Sequence, residues 1–237
     1  MGVVKEERIG DCRLILGDCL EVMPTLGPVD LLLTDPPYGI GAGDYKRGGT
    51  QYGNSKAPCR EYARKDWDNE APQEAVELAI AQAEKSIVFG GNYFSLPPSS
   101  CWLVWDKQNG EGSGYADCEL AWTNLDKAVR RVYWRWAGML QKHMGDKKEV
   151  RVHPTQKPVG VMEWCLGLVP NAETILDCWL GSGTTLVACA KLGRKGIGIE
   201  IDPEYFDIAC KRVEEAYRQP DLFVEPPKKP EQTGMDI

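Results

Sequence analysis

The sequence predicts an α/β fold with a mostly parallel, doubly wound sheet. Three observations lead there. Strand-like apolar runs alternate with helix-like patterns through residues 11–218. The run VDLLLTD (29–35) is almost continuously apolar, as in a strand covered on both faces. A glycine turn, WLGSGTT (179–185), joins a strand-like run to a helix-like one, and open α/β sheets bind ligands at such junctions.

RLILGD (13–18) is a short apolar run ending in Gly-Asp, a strand. CLEVMPTL has helical spacing at Leu20, Met23 and Leu26. VDLLLTD follows as the second strand. Residues 39–70, rich in Gly, Lys, Tyr and Asn, form a connection long enough to suggest function. PQEAVELAIAQAEK (72–85) predicts a helix, with Val76, Ala79, Ile80 and Ala83 on one face. SIVFGG (86–91) and CWLVWDK (101–107) predict strands, and ELAWTNL (119–125) an edge strand. Residues 126–152 mix Tyr133, Trp134, Trp136 and Met139 with basic residues and have no clear period. VGVMEWCLGLV (159–169) predicts a helix, residues 173–193 strand–turn–helix, KGIGIEID (195–202) a strand and 203–218 a helix opened by Pro203. The tail 219–237, with four prolines and mixed charge, is expected to be flexible.

The 237 residues suffice for one sizeable domain, spanning 1–218, without disulfides. Nine cysteines without a CxxC pair and only two histidines, His143 and His153, argue against a zinc site and for no metal. They read as small buried hydrophobes of a cytoplasmic protein. No run approaches the ~18 apolar residues of a membrane span. Net charge is −7, but unevenly spread: residues 39–65 carry +4 and 126–158 carry +6, leaving −17 elsewhere. An acidic body with two basic windows suits a protein that meets a polyanion on one side.

Two stretches carry chemistry. In Asp177-Cys178-Trp179-Leu180-Gly181-Ser182-Gly183-Thr184-Thr185 the glycines admit a ligand close to the backbone. The third position of a dinucleotide fingerprint is Leu186, which disfavours a pyrophosphate. Glu200, ending the next strand, can accept ribose hydroxyls, and Asp177 an ammonium group. Glycine turn plus two acids therefore suits an adenosyl amino acid. The other stretch is Asp35-Pro36-Pro37-Tyr38, at a strand end. The prolines restrict the backbone. The Asp35 carboxylate and nearby carbonyls thus point stiffly at one amino group, and Tyr38 offers a face on which to stack a base.

LLLTDPPYGI, with HPTQKP (153–158) and DCWLGSGTT (177–185), resembles the S-adenosylmethionine-dependent DNA amino-methyltransferases, N6-adenine or N4-cytosine, of the permuted kind with the catalytic motif before the cofactor motif. The likeness covers most of 11–217. It implies a circularly permuted, seven-stranded, Rossmann-like methyltransferase sheet, with a catalytic half at 11–125, a small target-recognition insert at about 126–152 and a cofactor half at 153–218. It assigns Asp35, Pro36, Pro37 and Tyr38 to the catalytic pocket. Asp18, Cys19, Thr155, Lys157, Asp177, Gly181, Ser182, Gly183, Thr184 and Glu200 fall to S-adenosyl-L-methionine. IVFGGNYF and KDWD are weaker family motifs. The implied substrate is double-stranded DNA, with the base flipped out. The short recognition region points to a homodimer or a short site. Asp at the first motif position favours adenine N6 over cytosine N4. An RNA or protein amino-methyltransferase, a non-catalytic cofactor- or DNA-binding module and a nicotinamide oxidoreductase are the other readings. Pro58-Cys59 matches the nucleophile pair of cytosine C5 enzymes but precedes the cofactor loop, the reverse of their order.

Overall fold

A computed structural model of the chain describes residues 2–41, 68, 70–109, 116–137, 140–144 and 148–218. Most of the 39–65 window, Pro58-Cys59, Met139, the first residues of KDWD and the tail from 219 lie outside them.

Among the described residues, eleven strands and five helices follow in order. They are β1 (Lys5–Ile9), β2 (Cys12–Leu16), α1 (Cys19–Val22), β3 (Val29–Thr34), α2 (Gln73–Ala81), β4 (Ala83–Phe89), β5 (Leu103–Asp106), β6 (Cys118–Thr123), β7 (Arg130–Tyr133), β8 (Trp136–Ala137), β9 (Leu140–Gln141), α3 (Val159–Leu168), β10 (Thr174–Asp177), α4 (Thr184–Lys191), β11 (Lys195–Glu200) and α5 (Pro203–Arg218). Nine strands form one sheet in the order β1-β2-β11-β10-β3-β4-β6-β5-β7, while β8 and β9 pair separately.

The permutation is visible in that order. The C-terminal strands β10 and β11 fill the gap between the N-terminal strands β2 and β3, all four parallel. Ile175 faces Leu31 across one junction and Ile199 faces Ile15 across the other. The near-continuous apolar run of β3 now has its cause. Leu31 and Leu33 enter a core shared with α3, α4 and α5, while Leu32 enters the core on the opposite face, shared with α1 and α2.

Four details differ from the sequence reading. The expected seven strands gain an edge strand at each side, β1 and β7. β1 folds back on β2 through Gly10, whose φ of +56° suits glycine. The helix predicted to Lys85 stops at Ala81, and Ala83–Lys85 belongs to β4. Parallel pairing of Ala83 with Val29 outweighs the local helical preference. β6, expected at the edge, lies inside the sheet, antiparallel to both β4 and β5. The return of the chain from β5 inserts it there and leaves β7 as the rim.

Within 126–152, β7 pairs with β5 and belongs to the main sheet. Trp136 is buried, and Trp134 lies so close to Gly160 of α3 that any side chain there would overlap its ring. These two rings anchor a segment whose Lys127, Arg130, Arg131, Arg135 and Lys142 are exposed.

Candidate active site

The tips of β3 and β10 meet. The Thr34 hydroxyl, last in β3, donates to Asp177 Oδ1, last in β10, at 2.7 Å. Both residues are fully or almost fully buried. One hydrogen bond thus fixes Asp35 beside the glycine turn, although the two motifs lie far apart in the chain.

On the β3 side, the Tyr38 hydroxyl donates to Asp35 Oδ1, and Lys157 Nζ donates to Asp35 Oδ2 at 2.5 Å. Lys157 also meets Glu119 of β6 at 3.0 Å, and Glu119 meets Lys107 at 2.5 Å. Burial pushes the Asp35 carboxyl up, with Lys157 opposing and Glu119 reinforcing the shift. Burial likewise would raise Glu119, yet the two lysines outweigh it and hold that carboxyl below its ordinary value. For Lys157, burial opposes the charge, but Asp35 and Glu119 win and keep it cationic. The Asp68 carboxylate accepts the backbone N–H groups of Tyr38 and Gly39 at 2.5 and 2.9 Å, which fixes the turn after the prolines. Hydrogen bonds to a charged acceptor are worth roughly 1.5–3 kcal/mol each.

The Tyr38 ring rests against Gly90, where a Cβ would come within 2.0 Å of it. Gly90 has φ +65°, so both space and backbone require glycine. Tyr38 stacks on Tyr93 with centroids 4.8 Å apart and planes at 11°, and Tyr93 is 47% exposed. The FGGNY stretch therefore builds the wall of the pocket.

On the β10 side, Asp177 accepts from Thr34 and from the Trp179 N–H at 3.2 Å, and Thr185 also supports its charge. Burial dominates and pushes this carboxyl up to about 6. Glu200, at the end of β11, accepts Gly181 N–H at 2.6 Å and Asp202 N–H at 2.8 Å, and burial raises it to about 7. Among the described residues neither acid has an ion-pair partner within reach. Gly181 and Gly183 have φ of +53° and +83°, and Gly183 packs against Ala209 of α5 too tightly for a side chain. The Ser182 and Thr184 hydroxyls both accept from Arg212, at 2.9 and 3.2 Å, so these side chains brace the turn against α5. What they leave to a ligand is backbone.

Asp18 caps α1 by accepting Leu20 N–H, and Gly17 N–H bonds Glu200 carbonyl oxygen at 2.9 Å, which brings Asp18 and Cys19 beside the β11 tip. A cleft of about 440 Å³ opens there, lined by Leu16, Gly17, Asp18, Ile201 and Pro203 among others. Burial raises the Cys19 thiol to about 11, with Asp18 adding to it, so it is no thiolate. In the HPTQKP segment, Thr155 is tied to His153 Nδ1 through its N–H and hydroxyl, and His153 faces Gly181. Lys157, expected beside the cofactor, donates to Asp35. Asp68 and Tyr93 fall in the weaker motifs KDWD and IVFGGNYF, whereas Glu119 and Lys107 carry no motif that singles them out. The WDK and GGNY patterns are the nearest signals for Lys107 and Tyr93.

A family model of the N6/N4 DNA methylases matches residues 104–211. Over that stretch the chain resembles the DNA methylases. Among curated methylases, Type II methyltransferase M.HpaI of Haemophilus parainfluenzae is 28% identical over 247 residues, covering 87% of this chain and 76% of its own. Type II methyltransferase M2.DpnII of Streptococcus pneumoniae is 44% identical over 80 residues, 33% of this chain and 29% of its own. In fold, this chain aligns with the PvuII cytosine-N4-specific DNA methyltransferase at TM-score 0.54 and 13% identity, covering 91% of this chain and 95% of that one. The M1.HpyAVI–SAM complex aligns at TM-score 0.51 and 22% identity over 85% and 99% of the chains.

Proposed function

We propose that this protein is a DNA methylase that transfers a methyl group from S-adenosylmethionine to the N6 amino group of an adenine flipped out of double-stranded DNA. The observation that carries the reading is the Thr34–Asp177 hydrogen bond, which sets the Asp35–Tyr38 pocket and the Gly181–Gly183 turn at one cleft. The cofactor residues fit a cationic ligand. Asp177 and Glu200 are buried acids whose described partners are hydroxyl and backbone groups, so an α-ammonium group and ribose hydroxyls complete them. Asp18 and Ile201 line the cleft suited to an adenine ring, and the 153–155 segment borders the glycine turn. When bound, this cofactor supplies a methyl group activated by a sulfonium.

The chain's own residues orient the acceptor. Asp35 accepts a hydrogen bond from the base amino group, which localises the nitrogen lone pair along the line of attack. With the cofactor bound, that lone pair would be aimed at the activated methyl group, and the proton the amino nitrogen gives up on methylation would pass to water. Tyr38 offers its ring for stacking, at ~1–3 kcal/mol, which offsets the few kcal/mol needed to flip the base. Exposed Lys127, Arg130, Arg131, Arg135 and Lys142 hold phosphates, and 126–152 serves target recognition. Its small size favours a short site or a homodimer, and a DNA substrate together with free cysteines among the described residues favours the cytoplasm.

Incubation with methyl-labelled cofactor and unmethylated duplex DNA, followed by digestion to nucleosides and mass analysis, tests this. N6-methyldeoxyadenosine is expected. N4-methyldeoxycytidine would replace the adenine assignment, and label in RNA or protein but not DNA would overturn the DNA reading.

A further inference from the structure

Lys157 lies 6% exposed between two acids, and its nitrogen is committed to both. Aromatic rings surround it: the Phe89 and Tyr38 centroids are 5.4 and 5.8 Å away. Glu119 is shared in turn with Lys107, on the neighbouring strand end. The four charges run Lys107, Glu119, Lys157, Asp35 and alternate in sign. Such a series leaves Lys157 little freedom to serve the cofactor. It also costs desolvation of every member, so a plain apolar filling would suit stability as well. Its geometry ends on the group that must receive the base.

We propose that Lys157 is a positioning residue that holds the Asp35 carboxylate ionised and aimed at the base amino group, with Glu119 and Lys107 fixing the lysine in its turn. The inference rests on the methyltransferase reading above. Its physical basis is simple. A neutral carboxylic acid would donate from one oxygen, and it accepts more weakly than the ion. A buried carboxylate without a cation takes up a proton toward neutral pH. Lys157 prevents that, and the rings beside it exclude water from the pair. Glu119 anchors Lys157 and balances the second lysine, while its own charge pushes Asp35 in the opposite direction.

Among the described residues, the titratable groups facing Asp35 are Tyr38, Lys157, Glu119 and, across Thr34, Asp177; Tyr93 lies behind Tyr38 and Lys107 behind Glu119. The assignment therefore predicts opposite pH signatures. In Lys157→Met, kcat for DNA methylation falls roughly 100-fold near neutral pH, and the acid limb of the kcat profile moves up by about 1 unit. In Glu119→Gln, kcat falls about tenfold and the acid limb moves down, because a negative neighbour is gone. Cofactor Kd by calorimetry stays within about twofold in both, which also reports that each variant is folded.

Limbs that stay put, or move the same way in both variants, would overturn the proposal. So would a Lys157→Met enzyme that binds cofactor weakly but keeps its kcat at saturation, which would return the lysine to the cofactor side. If Lys157→Met does not fold, the downward limb of Glu119→Gln decides alone. Wild-type protein that methylates no DNA would instead sink the functional reading, and this inference with it.

Discussion

At the end of β3 the partly buried acid, Asp35, meets a lysine 2.5 Å away, whereas Asp177 and Glu200 at the ends of β10 and β11 meet hydroxyl and backbone donors. The first acid carries its counter-charge within the chain. The other two sit buried with carboxyls at about 6 and about 7. An acid raised from 3.8 to about 6 costs the folded state about 3 kcal/mol at alkaline pH. On the proposed reading, the difference marks the side of the cleft that would take a cation. The β3 tip is complete and can receive a neutral amino group, while the β10 and β11 tips gain from a positively charged ligand.

The sign of the pH dependence follows. Between about pH 4 and pH 7 the unfolded chain releases protons that Asp177 and Glu200 retain when folded. The ligand-free protein therefore loses stability from these two groups as pH rises through that window, and above it the loss stays constant. Cofactor affinity runs the other way, because ionised acids attract the ammonium group.

Several measurements break or sharpen the contrast. Asp35→Ala should cut the methylation rate by roughly 10²–10³-fold, the scale of losing one preorganised polar contact at a reacting centre, with cofactor Kd unchanged. A matching loss of cofactor affinity would mean the tips do not divide the labour. Asp177→Asn or Glu200→Gln should weaken cofactor binding by roughly 10–100-fold, as for a hydrogen bond to a charged group, and largely spare kcat at saturation. Lowering pH from 8 to 5.5 should weaken binding about tenfold and shrink the cofactor-induced rise in Tm; a pH-independent Kd would contradict the uncompensated-acid account. Smallest, Tyr38→Phe keeps the ring and loses the hydroxyl on Asp35, so kcat should drop only a few-fold, read against Tyr38→Ala, which also loses stacking.

How much of this was legible varies with the range of the interaction. The apolar run of β3, the glycine turn and the α5 helix opened by Pro203 announce themselves locally, and the motif order alone implies that β10 and β11 close the sheet. Local pattern failed where pairing decides. Ala83 fits a helical face and yet is claimed by Val29, and β6 has the look of a rim strand but is flanked on both sides. In the site, the residues named by motif converge, but their partners are less visible. Lys157 reaches Asp35 across 122 positions, and Glu119, partly buried between two lysines, is one acid among many in an acidic chain. Sequence spacing places Ser182 and Thr184 on the cofactor loop, and only packing reveals that Arg212 occupies their hydroxyls.

The insertion of β10 and β11 between β2 and β3 also governs how this protein comes into being. A nascent chain has made β2 and β3 long before residues 174–200 emerge, so two strand rims wait with unsatisfied amides and exposed leucines. Synthesis halted before Thr174 would leave a sticky, half-zipped intermediate, and completion depends on late, long-range parallel pairing, the slow kind.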